Sequence, residues 1–590
     1  MWKRIINWSS TQLNKKIIKG DIIMKKNVKV IATMLAALTM MSVCSACQTP
    51  QLPNLDSGLS AEEVDTSKIQ LYVSNFNGGF GSEWLNQAKS RFEEARKDVT
   101  YVNEKGEEKK GVQVILSGTK DQIMSLGDQI LNNPDEIYFT EYAYYYTLRS
   151  KGYLLDITDA ITSENEDGKT IESKLTQEQV NYYKDGGKYY GLPHYSGYSG
   201  LVYDVDLFEQ RGYFIKDNYS YTGNLDDLPQ CFTKTANKSA GPDGVKGNSD
   251  DGLPANYDEF YMLCDRIAQD GRIPLMWNGL SSNDYLTYFL NALIAQNEGL
   301  EQMMLNYNYS STTQATTLGK IVDGEFVLDA EPTTITEANG YELARQRGKY
   351  EALKLLRKIV TTDKYHARDP FGGTSHLQAQ KKFLSNGIVN DEDRCAMFVE
   401  GIWWENEAKA VFDEVVNRAG TEYSRTNRRL GFMPLPSYDG SNKKNTLCDH
   451  IYSLCFIKSN IAAAKKDLAI DFVKFCYTDT SLKEYTTITN TPKALNYTMT
   501  ETEMAGMSPF GKALMELKQT SDVIYPYSQD AFYVNNQSVF QGNRMYNSMI
   551  GKTTYSRTGA TFYEKGTSAE AFFSGLYKYL SGAWGSYVHS

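Results

Sequence analysis

The chain has 590 residues, 41% hydrophobic and 23% charged, with a formal net charge of −10. Residues 1–46 hold eight Lys/Arg and one Asp, so the remainder carries 54 basic and 71 acidic residues, a net −17. That balance excludes a nucleic-acid partner, whose phosphates are bound by cationic neutralisation, and the length implies two to four domains or one large two-lobed body.

In chain order, residues 1–23 carry no fold signal, and Met24 is the better start. Met24 to Lys29 is basic, and Val30 to Val43 is a mostly apolar run of 14 residues. A membrane-spanning helix needs roughly 20 such residues; this run has the proportions of a signal-peptide core. Ser45 and Ala46, small enough for a peptidase pocket, precede Cys47. The arrangement resembles a bacterial lipobox, with Cys44 where that motif usually has Leu. Cleavage after Ala46 makes residues 1–46 a signal region and Cys47 the lipidated first residue, the site of a fatty acyl group such as palmitate. A redox or metal reading of Cys44 and Cys47 needs a folded context that an apolar leader does not give. Residues 47–67, rich in Pro, Ser and acids, have the composition of a flexible tether. The six other cysteines (Cys231, Cys264, Cys395, Cys448, Cys455, Cys476) form no CxxC pair and read as free buried thiols.

Ile69 to Val73 alternates like a first strand. Ser82 is placed to cap a helix through about Lys97, Val112 to Leu116 reads as a second strand, Asp121 to Leu131 as a helix, and Glu136 to Phe139 as a third strand. Strands alternating with helices predict a parallel α/β sheet, whose ligands sit beyond the strand C-termini. That singles out Asn75 and Asn77 after the first strand and Glu141 and Tyr142 after the third, against ordinary loop polarity as the alternative.

Next come YYKDGGKYYGLPHY (182–195), read as two Tyr-rich strands around a Gly-Gly turn, and SGYSGLVYDVDLF (196–208). Further on are LPANYDEF (253–260), CAMFVEGIWW (395–404), LGFMPLP (430–436) and AIDFVKF (469–475). Together, in this order, they resemble the carbohydrate-type extracellular solute-binding proteins of ABC importers, the maltodextrin-binding proteins among them. Residues 300–345 and those after about 500 match only loosely. The resemblance implies an α/β, periplasmic-binding-protein-like fold, two lobes joined by a hinge with the ligand cleft between them. Lobe I is then 68–198 plus 456–505, and lobe II 199–455 plus 506–590. It also implies a monomer without catalysis or required cofactor, lipid-anchored on the extracellular face of a bacterial membrane of Gram-positive type, which delivers an oligosaccharide to permease subunits.

A sugar ring has an apolar face and a belt of hydroxyls, so it is held by aromatic plates and planar polar groups. The resemblance carries the stacking role to Trp403; Trp404 is a second candidate, and one of the two is expected in the core. Trp277 and Asn278, at the end of the short strand Ile273 to Met276, join an aromatic to an amide; a packed indole is the alternative. His194, Tyr195 and Tyr198 complete the candidates, and the 42 tyrosines suit such a cleft. The loop GPDGVKGNSDDG (241–252) offers Asp243, Asn248, Asp250 and Asp251 as oxygen donors for a structural calcium, against a solvated turn. Nucleophile-elbow, zinc and phosphate-loop motifs are absent. A secreted glycoside hydrolase stays open, since 71 acidic residues can hide a catalytic pair; so does the same fold with a peptide or polyol.

Overall fold

The computed structural model describes residues 63–119, 127–141, 145–385, 394–449, 453–525, 530, 532, 533, 536 and 558–588. The leader, Cys47, most of the tether and Tyr142 lie outside them. Among the described residues no helix is long and apolar enough to cross a membrane.

Strand β1 (Ile69–Phe76) has the period-two burial its sequence predicts, with Ile69, Leu71 and Val73 facing the core. A loop leads into helix α1 (Glu83–Ala95), which buries Trp84, Leu85, Ala88 and Phe92. Ser82 precedes the helix but its side chain makes no cap bond. Strand β2 (Val112–Thr119) runs parallel to β1, with Ile69 opposite Val112. Of the helix expected over 121–131, the described part is a single 3-10 turn, Gly127–Leu131. Strand β3 (Ile137–Thr140) lies parallel to β1 on its other side.

The Gly-Gly turn is present, but the strands it joins are two residues each, Lys184–Asp185 and Lys188–Tyr189. Gly186 and Gly187 both take positive φ, as the two-residue hairpin of this twist requires. Tyr182 and Tyr183 end a helix, Gln177–Tyr183, rather than a strand, because Thr176 and Gln179 form a capping box that commits this segment to helix.

The chain then enters a second sheet. Strand β4 (Ser199–Asp204) is fully buried. Helix α2 (Tyr257–Gln269) starts where Asn256 accepts the Glu259 N–H at 2.9 Å. Strand β5 (Ile273–Met276), helix α3 (Ser282–Met304), helix α4 (Arg347–Thr361), strand β6 (Cys395–Gly401), the short helix α5 (Trp404–Glu407) and strand β7 (Leu430–Met433) follow. The sheet order is β5-β6-β4-β7, with β5 parallel and β4 antiparallel to β6. Strand β8 (Leu454–Ile457) returns to the first sheet, antiparallel to β3, giving the order β8-β3-β1-β2. Both sheets are thus mixed, not wholly parallel: each return strand arrives through the connection between sheets, which reverses its direction. Helix α6 (Ala463–Cys476) and helix α7 (Asp479–Thr489) cover the first sheet, and helix α8 (Pro509–Thr520) packs with the second.

Each sheet has its own apolar core. The two regions without clear sequence likeness pack together: Trp584, on helix α9 (Ala569–Val588), donates to the Glu337 carbonyl at 2.8 Å and Tyr577 donates to Glu342 at 3.1 Å.

Candidate functional site

Three segments pass between the sheets, near 192–199, 449–454 and 490–508, and hydrogen bonds tie them together. The His194 and Tyr195 N–H groups donate to Ser453 Oγ at 3.1 and 3.0 Å, and Ser453 donates back to the Tyr195 carbonyl at 2.7 Å. Tyr195 pairs with Lys493 and Tyr198 with Asp449 as single antiparallel bridges. Lys493 is fully buried and has its ammonium 4.3–5.5 Å from the ring centres of Trp84, Tyr485, Tyr477 and Phe139. Burial pushes its pKa down to about 8. It donates to His194 Nδ1 at 2.9 Å, and burial holds His194 well below its ordinary value, hence neutral. His194, proposed from sequence as a ligand group, is buried against the rings of Trp84, Phe139 and Tyr195.

The two sheets' cores meet where the loop after β1 reaches the start of α5. Trp403 packs against both the first and second sheets' cores. A Cβ at Gly79 would lie 2.6 Å from its indole, and one at Gly401 2.1 Å, so the ring is seated by two glycines, one from each lobe. Phe80 meets it edge-on at 6.5 Å, and its indole hydrogen-bonds the Tyr285 hydroxyl. One turn on, Asn406 Nδ2 donates to the Gly79 carbonyl at 2.8 Å, and Lys409 pairs with Glu83 at 2.9 Å. Trp403 thus stands at the seam, half-buried and shared by both lobes.

Glu141 and Tyr195 join this seam from lobe I. Tyr195 donates to Glu141 and stacks obliquely on Phe80 at 4.0 Å. Glu141 is 7% exposed, and burial with the nearby Glu407 carboxylate pushes its pKa up to about 8. Asn75 is buried and holds the loop, donating to the Phe76 and Gly81 carbonyls and to Ser82 Oγ, each at 3.2 Å. Asn77, half-buried, accepts from Ser82. Tyr198 is buried in the first crossing and donates to Ser196 at 3.0 Å.

Other candidates sit apart. Trp404 is fully buried among Phe383, Phe398, Phe412 and Phe510, so it is the packing member of the Trp pair. Trp277 donates to the Pro370 carbonyl at 2.7 Å and packs on His366 and Phe371. Asn278 accepts the Ser281 N–H at 3.0 Å, ordering the start of α3.

Sequence reasoning missed the acidic wall around Trp403. Glu400, Gln380, Glu407 and Tyr285 come together there: Gln380 Nε2 donates to Glu407 Oε2 at 2.7 Å, and both Gln380 and Tyr285 lie against the Glu400 carboxyl. Burial raises the Glu400 carboxyl well above its ordinary value. The signal was present in EGIWWENE, which places Glu400, Asn406 and Glu407 within one turn of Trp403.

In the 241–252 loop, Asp243 accepts from Val245 N–H and Asn248 Nδ2, both at 2.7 Å. Asp250 accepts from Asp243 N–H at 3.2 Å and Asp251 from Gly247 N–H at 2.8 Å. The side chains offered for calcium thus cap the loop's own donors, and among the described residues no group of three His, Cys, Asp or Glu is placed to hold a metal ion. The six cysteines are buried and free.

A profile of the family described as Bacterial extracellular solute-binding protein matches residues 79–482, more than half of the chain, a span that includes both Gly79 and Trp403. The chain belongs to this family. For this solute-binding protein no curated sequence gives a match. Its fold is similar to that of a chitin oligosaccharide binding protein, with TM-score 0.52 and 15% identity over 89% of this chain and 100% of the other. It is also similar to the SBP RafE in complex with raffinose, with TM-score 0.50 and 12% identity over 87% and 99%. At these identities the likeness establishes the two-lobed fold.

Proposed function

We propose that this solute-binding protein captures an oligosaccharide in the cleft and presents it to the permease subunits of an ABC transporter. In this reading Cys47 carries the lipid that holds it to the extracellular face of a bacterial membrane, with lobe I formed by 68–198 plus 456–505 and lobe II by 199–455 plus 506–590. The observation that carries the reading is Trp403. It is an aromatic plate at the seam, with Asn406 bonded to the Gly79 that seats it and Glu141 and Glu407 close enough to feel each other's charge, the pairing of apolar face and planar polar groups that a sugar ring needs. The sugar-binding titles of the two similar structures support the same ligand class. Closure on the ligand is a hinge motion about the three crossings. No calcium enters this reading.

The test is a thermal shift of the protein against a panel of plant, starch and host oligosaccharides. Ligand at 100 times its dissociation constant adds about 2.7 kcal/mol to stability. A shift with one glycan class supports the reading; a shift with peptides or polyols alone overturns it.

One observation favours a second reading, a glycoside hydrolase. Glu141 feels the Glu407 carboxylate across the seam, and its raised pKa would suit a general acid. The product separates the two readings: a receptor returns its glycan intact, a hydrolase shortens it.

A further inference from the structure

Three contacts carry lobe II across to lobe I at the seam, and the residues that make them are regularly spaced. Trp403, Asn406 and Lys409 follow one another at intervals of three, the spacing that brings side chains to one helical face, from the start of α5 into the next helix, Lys409–Ala419. The Trp403 indole lies against Gly79, Asn406 Nδ2 donates to the Gly79 carbonyl at 2.8 Å, and Lys409 Nζ pairs with Glu83 Oε2 at 2.9 Å. Asn406 is buried and Trp403 half-buried. The ion pair is different: its side chains are 37% and 60% exposed, for Lys409 and Glu83, so it stands at the rim of the seam.

Nothing in its own helix accounts for Lys409. It is the first residue of that helix, where unpaired backbone N–H groups make the end positive and a cation is the unfavoured charge. The first turn holds no acidic residue to offset it, and Ala408 at the cap position makes no side-chain bond to the backbone. Glu83 opens α1, where an acid is the favoured charge. Among the described residues Glu83 is the carboxylate that Lys409 pairs with, and it belongs to the other lobe. Lys409 is thus placed for lobe I and not for the helix that carries it.

We propose that Glu83 and Lys409 form a latch between the lobes: the pair makes when the lobes close and breaks when they open, and it sets how tightly the protein holds its solute without touching that solute. The proposal rests on the hinge closure of the reading above and not on which solute is bound. Closing brings the cation from a helix end that disfavours it onto a carboxylate. An exposed ion pair favours the state that makes it by about twofold to fivefold. Apparent affinity follows the population of the closed arrangement, so it changes by the same factor. Both side chains reach water, so salt weakens the latch.

The experiment is double electron–electron resonance on the purified protein, without solute, with nitroxides on Val102→Cys in lobe I and Leu225→Cys in lobe II. Both positions are exposed, and the six native cysteines of the described residues are buried. Distances are read at about 50 mM and about 500 mM NaCl. The expected result is a short-distance, closed population that falls about twofold or more at the higher salt and in Glu83→Lys or Lys409→Glu, and that returns when the two reversals are combined. Lys409→Gln removes the charge without reversing it and keeps the test available if a reversal disturbs its helix. A distribution that the single reversals leave unchanged, or that the combined exchange does not restore, overturns the latch. Titration with maltotetraose, chitotetraose and raffinose keeps the two readings apart. Binding of none of them counts against the oligosaccharide reading alone, because the distances are read without solute. Where one binds, Lys409→Glu should weaken it about twofold or more, and unchanged affinity in that variant overturns the latch's part in holding solute.

Discussion

Trp403 and Trp404 are adjacent in sequence and opposite in circumstance. Trp404 fills a pocket of four phenylalanines, so Trp404→Ala leaves a cavity and should cost about 3–5 kcal/mol in thermal or denaturant unfolding. Trp403 is half-buried at the seam, and Trp403→Ala should weaken ligand binding about tenfold or more by calorimetry. If the two substitutions had the same effects, their division into plate and core would be wrong. Glu141 adds a pH signature. Burial pushes its pKa up to about 8 from an ordinary 4.5. Between those values the folded protein holds a proton that the unfolded chain has released. Its contribution to stability is therefore full below about pH 4.5 and lost as pH rises to about 8. One pKa unit corresponds to about 1.4 kcal/mol. Glu141→Gln should flatten the fall in stability between pH 5 and pH 8, by up to about 4 kcal/mol in urea melts. An unchanged slope would mean that Glu141 is ionised in the folded protein.

The loop Asn77–Ser82 and the start of α5 form the contact between lobes, and it depends on Gly79 having no side chain. Gly79→Ala places a methyl group against the Trp403 indole and should weaken ligand binding several-fold without lowering the melting temperature by more than a few degrees. Unaltered affinity would show that this contact plays no part in closure. The elements that sequence made legible are those set by local pattern: the alternation in β1, the apolar strands β2 and β3, and the Gly-Gly turn. Where several local signals competed, the reading failed. Tyr182 and Tyr183 looked like strand, but a capping box six residues earlier had started a helix. Ser82 looked like a cap, but its hydroxyl is engaged by Asn75 from the preceding strand. The acidic wall was invisible for a different reason. Gln380 and Glu407 are 27 residues apart and meet only through tertiary packing, and no spacing rule connects them. His194 carried a polar label in sequence, and only the fold shows it locked between Lys493 and Ser453.

At the scale of the molecule, two sheets, each with its own apolar packing, are joined by three crossings. The Lys493 ammonium, enclosed by aromatic rings and resting on His194, fastens the third crossing to the first. Outside the described residues, Cys47 is expected to carry the lipid. Labelling with a radioactive fatty acid should mark the wild type and not Cys47→Ala; equal label in both would remove the anchor from the reading. Adding calcium to chelated protein should leave the melting temperature unchanged, because the loop's carboxylates already accept from its own N–H groups; a rise of several degrees would return calcium to that loop. The measurement that bears most directly on function is the thermal shift against the oligosaccharide panel, followed by recovery of the bound glycan and determination of its length. An oligosaccharide receptor gives a shift with one glycan class and returns that glycan uncut. A shortened glycan would make Glu141 and Glu407 a catalytic pair, and a shift with peptides or polyols alone would leave the fold standing and take the sugar away from Trp403.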